Sequence, residues 1–124
     1  MRYYDELLRE QRGSFTVIVD KTYEDLHPRD CFDDSCYDID EMCDKIDRGI
    51  LEWFMLRTRV EFEGVELACE YLGGCLYDDA REVLTDGMAE DQIYQALINA
   101  RRAAEEMKEK FAKLDPKEVD LLVN

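Results

Sequence analysis

Apolar and polar positions alternate most strictly between Leu51 and Leu72, where LEWFMLRTRVEF and VELACEYL flank Glu63 and Gly64. A period of two sends successive side chains to opposite faces of a strand, and Glu-Gly can close a hairpin because glycine accepts positive φ freely. Pairing Phe62 with Val65 sets Val60 opposite Leu67, Thr58 opposite Cys69 and Leu56 opposite Tyr71, so that one face is almost wholly apolar. The other face then carries Arg57, Arg59, Glu61, Glu66 and Glu70. The β-branched run SFTVIVD, Ser14 to Asp20, predicts a further strand whose pairing position the pattern leaves open.

Elsewhere the period lengthens to three or four. RYYDELLREQR, Arg2 to Arg12, has Tyr4, Leu7 and Leu8 at helical spacing and meets Gly13, which predicts a short first helix. Lys21 to Tyr37 is polar and interrupted by Pro28, which predicts a long loop. Asp38 with Glu41 forms a capping-box start, after which Ile39, Met42, Cys43 and Ile46 share one face and Gly49 closes the segment. Gly73-Gly74-Cys75 is expected to break the ribbon. YDDAREVLTDG then predicts a short helix capped by Asp78, with Ala80, Val83 and Leu84 inward.

From Met88 to Leu114, Ile93, Ala96, Leu97, Ala100, Ala104, Met107 and Phe111 form one stripe. As a helix this segment runs on the order of 40 Å. Its second half, RRAAEEMKEKFAK, either projects beyond the core, supported by opposite charges three or four apart, or packs against a second copy. Asp115, Pro116 and Glu118 start one last turn. These elements predict a single α+β domain over residues 1–124. Its expected form is a small antiparallel sheet of about three strands, hairpin included, packed against helices with a long one at the C-terminus.

Composition agrees with one folded unit: 124 residues make one ordinary domain, and 46% hydrophobic residues exceed what a disordered acidic segment carries. The opening residues are acidic and lack an apolar leader core, and no run is long and apolar enough to span a membrane, so a cytoplasmic location is expected. The cysteine count of 5, odd and without an export signal, favours reduced thiols.

Candidate chemistry is sparse. His27, Cys31, Cys36, Cys43, Cys69 and Cys75 invite a count of zinc ligands, but no C-x-x-C spacing occurs. Cys43 and Cys69 fall on faces assigned to the core, where cysteine serves as a small hydrophobe. The sole histidine, His27, precedes a proline in a polar stretch and reads as a surface residue. DCFDDSCYDIDE lacks the central glycine and alternating ligands of a calcium loop. No catalytic, metal or cofactor site is expected, and the protein is read as a non-enzyme.

Charge changes the picture most. With 31 acidic and 16 basic residues the formal charge is −15, which disfavours nucleic acid and anionic membranes and favours a basic protein partner. The acidity sits in two blocks: residues 20–45 carry −7 and residues 61–91 carry −9, while the rest sums to +1. A solvated acidic face is the simplest account. A sharper one is imitation of a phosphate array, since outward residues of a strand recur at about twice the ~3.3 Å rise and phosphates every ~3.4 Å per strand. The residues expected to meet such a partner are Glu61, Glu63, Glu66 and Glu70 on the hairpin, Asp78, Asp79, Glu82 and Asp86 after it, and Asp33 and Asp34.

LEWFMLRTRV and GVELACEYLGGCLYDD, within a stretch from about Asp38 to Asp86, resemble a family of small acidic proteins of bacteriophages and other mobile elements. That resemblance implies a phage context in which such proteins inhibit host defence, as anti-CRISPR, anti-restriction and DNA-mimic proteins do. The expected function is therefore an acidic inhibitor that binds a basic surface of a host nucleic-acid-handling or defence complex. The alternative is a homodimeric interaction or regulatory module, joined through the long helix, whose carboxylates serve solubility.

Overall fold

A computed structural model describes residues 2–123. Four strands, β1 (Tyr4–Arg12), β2 (Phe15–Tyr23), β3 (Glu52–Phe62) and β4 (Val65–Tyr77), form one antiparallel sheet in the order β1-β2-β3-β4. The α+β class stands, with one strand more than expected. The segment predicted as a first helix is β1, paired to β2 through a turn at Gly13. Its ladder shifts register between Glu6 and Leu8. A bulge adds one residue and resets the alternation, so Tyr4, Leu7 and Leu8 take helix-like spacing while the chain stays extended.

The Glu63-Gly64 turn is present, with φ of 49° and 79°, and Phe62 faces Val65. Beyond that pair the expected register fails. A shift between Val60 and Glu61 pairs Val60 with Ala68, Thr58 with Glu70 and Leu56 with Leu72. One inserted residue flips the side chains of β4 from Ala68 to Leu72 to the other face. Cys69, expected in the core opposite Thr58, instead pairs with Arg59, and Glu70 moves to the face expected to be apolar. Gly73-Gly74-Cys75 does not break the ribbon either. The glycines occupy a second irregularity, between Leu72 and Cys75, and β4 continues to Tyr77.

The predicted loop between β2 and β3 is shorter and more structured than expected. β2 runs on to Tyr23, and α1 (Pro28–Cys31) follows. Then comes α2 (Ile39–Asp47), where Asp38 Oδ1 accepts the Glu41 amide at 3.1 Å. After β4 a 3-10 turn, Ala80–Leu84, is capped by Asp79, one residue past the expected cap. Next come α3 (Met88–Ala112) and α4 (Pro116–Val123).

The core lies between the sheet and the first half of α3: Val17, Val19, Leu56, Val60 and Ala68 meet Val83, Ala89, Ile93, Ala96 and Ala100. Thr58, fully buried there, donates to Gln92 at 2.5 Å, and Asn99 donates to Glu70. Burial pushes the Cys75 thiol up to about 11. On the face turned away from α3, Asp20 is buried and accepts both Arg57 bonds, at 2.8 and 2.6 Å, with Tyr4 stacked 3.5 Å from the Arg57 guanidinium carbon. Ile18, 1% exposed, lies beneath this mat of side chains. Such a pair locks the central strands, because removing either partner would strand a buried charge.

No helix among the described residues is long and apolar enough to cross a membrane.

Candidate functional site

Antiparallel order decides where the acidic residues meet. The β2–β3 connection and the exit from β4 leave the sheet at the same end, because neighbouring strands alternate in direction. The connection, residues 24–51, and the segment 78–87 together hold fourteen carboxylates against four bases, which is −10 of the chain's −15. Contacts confirm the proximity. Phe32 of the connection stacks on Trp53 of β3 at 5.9 Å, and a cavity beside it is lined by Phe32, Gly74 and Tyr77.

The carboxylates are not equivalent. Glu24 is buried and accepts the amides of Leu26 and Gly74 at 3.1 and 2.8 Å, tying the connection to β4. Asp25, Asp34, Asp40, Glu41 and Asp44 lie in ion pairs with Arg2, Arg29, Lys45 and Arg48. Asp30, Asp33, Asp38, Asp47, Asp78, Asp79, Glu82 and Asp86 are exposed and have no ion pair among the described residues.

Local chemistry explains how many acids are tolerated here. Asp33 accepts the Ser35 amide and hydroxyl at 2.9 and 2.8 Å, and these bonds hold its carboxyl below the ordinary value. Asp86 accepts the Tyr77 hydroxyl at 2.5 Å and the Met88 amide at 2.9 Å, which lower its pKa in the same way. Asp38 and Asp79 cap α2 and the 3-10 turn. Each of these side chains accepts a backbone amide that would otherwise lack a partner.

Six of the ten carboxylates expected from sequence, Asp33, Asp34, Asp78, Asp79, Glu82 and Asp86, come together at this end. The other four do not extend the row. Glu63 and Glu66 lie at the hairpin tip, at the far end of β4, on the order of 40 Å away for a strand of this length. Glu61 is paired with Arg59 at 3.3 Å. Glu70, expected on the outward face, is half-buried beneath α3 and bonded to Asn99. The regular spacing of the hairpin glutamates therefore does not make one linear array: the bulge turns Glu70 inward and strand length separates the tip from the rest.

His27 and Cys43 also come out differently. His27 Nδ1 accepts the Arg29 amide at 3.0 Å and caps α1, which leaves the proton of the neutral ring on Nε2, 3.8 Å from the half-buried Cys43 sulfur. Sequence spacing gave no signal for this pair, because the turn of α1 that brings them together rests on Pro28. Among the described residues no three His, Cys, Asp or Glu side chains are grouped to hold a metal ion. Comparison with protein-family models, with curated proteins and with solved structures finds no match to this chain.

Proposed function

We propose that this protein acts by binding, as an acidic inhibitor of the kind bacteriophages direct at host defence. In this reading its carboxylate-rich end occupies a basic, nucleic-acid-binding surface of a host complex. The observation that carries the reading is the gathering of two sequence-distant acidic segments at one end of the sheet, with eight exposed carboxylates that form no ion pair among the described residues. A dispersed veneer would serve solubility equally well and would not need both connections on the same side. Concentrated charge does something more: it steers a basic partner, speeds association and makes binding sensitive to salt.

The test is capture from nuclease-treated host lysate at low and high salt, followed by competition with duplex DNA. Expected is salt-sensitive capture of a nucleic-acid-binding protein that DNA displaces. Asp78→Lys with Glu82→Lys should abolish capture, while Glu63→Lys with Glu66→Lys at the opposite end should leave it within about twofold. Capture that survives the first pair, or that DNA does not displace, sinks the reading.

A further inference from the structure

The stripe that α3 buries against the sheet does not stop where the sheet does. Ile93, Leu97, Ala100, Ala104, Met107 and Phe111 follow one another along α3 at spacings of four and three, an unbroken heptad seam, and Leu114 lies just past the end of the helix. Its first half is core: Ile93 and Ala100 are 1% and 0% exposed. Its second half is bare, since Phe111 is 66% and Leu114 54% exposed, and residues 105–123 are all exposed. α4 adds Leu121, Leu122 and Val123, each above 70% exposed. An arm of this length, apolar along one side, is unpartnered among the described residues, and a run of large exposed apolar side chains marks a contact surface.

The charges beside the seam identify the partner. At about 100° per residue, Arg101 and Lys108 border one side of the seam and Lys110 the other, while Glu105, Glu106 and Glu109 lie on the far side. The seam is thus edged by cations in a protein whose residues 1–100 carry the whole net charge of −15, residues 101–124 being neutral. Two arms laid together would set lysine against lysine along their borders, whereas an arm laid on the acidic body of another copy meets opposite charge.

We propose that the seam formed by Ala104, Met107 and Phe111, with Leu114 just beyond the helix end, docks a second copy of this chain, the arm of each protomer lying on the acidic body of the other. The exchange is two-fold symmetric, so it closes at a dimer. A stable interface needs about 1,000 Å² in total, and the exposed apolar side chains of both arms contribute to it. The arm is remote from the carboxylates tested for partner capture while the body that receives it includes them, so the two readings are separated by Met107→Ser with Phe111→Ser, which abolishes the dimer and leaves capture intact.

Light scattering and sedimentation of the full chain, from about 1 to about 300 µM, give the mass as a function of concentration. A dimer is expected that dissociates at least about tenfold more readily when salt rises from about 50 to about 500 mM. Met107→Ser with Phe111→Ser should leave a monomer with an unchanged circular dichroism spectrum, since both side chains are exposed. Lys108→Glu with Lys110→Glu separates the arrangements: arm on body predicts dissociation at least about tenfold weaker in affinity, arm on arm predicts equal or tighter pairing. Carbodiimide cross-linking of a mixture of labelled and unlabelled chains should join Lys108 or Lys110 to carboxylates within residues 1–100 of the other copy. A monomer at every concentration, a dimer indifferent to the lysine reversals, or cross-links confined to the arms overturns the proposal.

Discussion

Glu24 is the residue on which the acidic end hangs, and nothing in the sequence marks it, because its partner Gly74 lies fifty positions later. Its carboxylate is desolvated at 2% exposure and held by two amides, so it acts as a clamp between the β2–β3 connection and β4. Gly73 completes the clamp for a steric reason: a Cβ there would stand 2.8 Å from Glu24 Oε2. That oxygen is the one accepting the Gly74 amide, and it cannot retreat without losing the bond. Gly73→Ala and Glu24→Ala are each expected to cost about 1–3 kcal/mol, read from the urea midpoint. In the Glu24→Ala background the further cost of Gly73→Ala should fall below about 0.5 kcal/mol, because the clash and the bond involve the same oxygen. Equal costs in both backgrounds would show that Gly73 matters for backbone reasons unrelated to Glu24. The capping aspartates were more legible, since Asp38 announces α2 by its spacing to Glu41 alone.

At the level of elements, legibility tracks locality. The Glu63-Gly64 turn, α2 and the start of α3 depend on neighbours a few residues away, and each falls where the pattern puts it. Errors occur at the bulges. The irregularity at Leu7 disguises β1 as a helix, and the one at Val60/Glu61 reverses the faces of β4, because an inserted residue leaves no mark in a period-two pattern until the partner strand is known. The same turn carries a correctable cost. Glu63 sits at φ 49°, a left-handed conformation that a straight side chain adopts poorly and asparagine tolerates. Glu63→Asn is therefore expected to stabilise the fold by about 0.5–1 kcal/mol, seen as a higher thermal midpoint with an unchanged spectrum. Gly64→Ala, at φ 79°, should lower the midpoint by a similar amount. A neutral or destabilising asparagine would mean that Glu63 has a compensating contact at the tip.

For the whole molecule, the antiparallel order of the strands concentrates at one end a charge that the sequence shows only as two separate blocks. Eight exposed carboxylates without ion partners among the described residues repel one another there, and the ion pairs beside them are exposed and individually weak, so repulsion outweighs attraction. Added salt should consequently stabilise the fold. Between about 10 and about 300 mM the screening length drops from ~30 Å to below ~8 Å. A rise of roughly 2–5 °C in the thermal midpoint is expected, corresponding to about 0.5–1 kcal/mol for a domain of this size. Asp30→Asn with Asp47→Asn, chosen because neither caps a helix, should raise the midpoint at low salt and shrink the gain from salt. A midpoint that falls with salt would mean that the ion pairs dominate and that the carboxylates carry no stored repulsion. The same repulsion links stability to binding: a basic partner that neutralises this end relieves it, so a polycation such as polylysine should raise the low-salt midpoint at least as much as salt does. If the polycation leaves the midpoint unchanged while salt raises it, the charge that matters for stability is spread over the surface, and the acidic end is not where a basic partner would act.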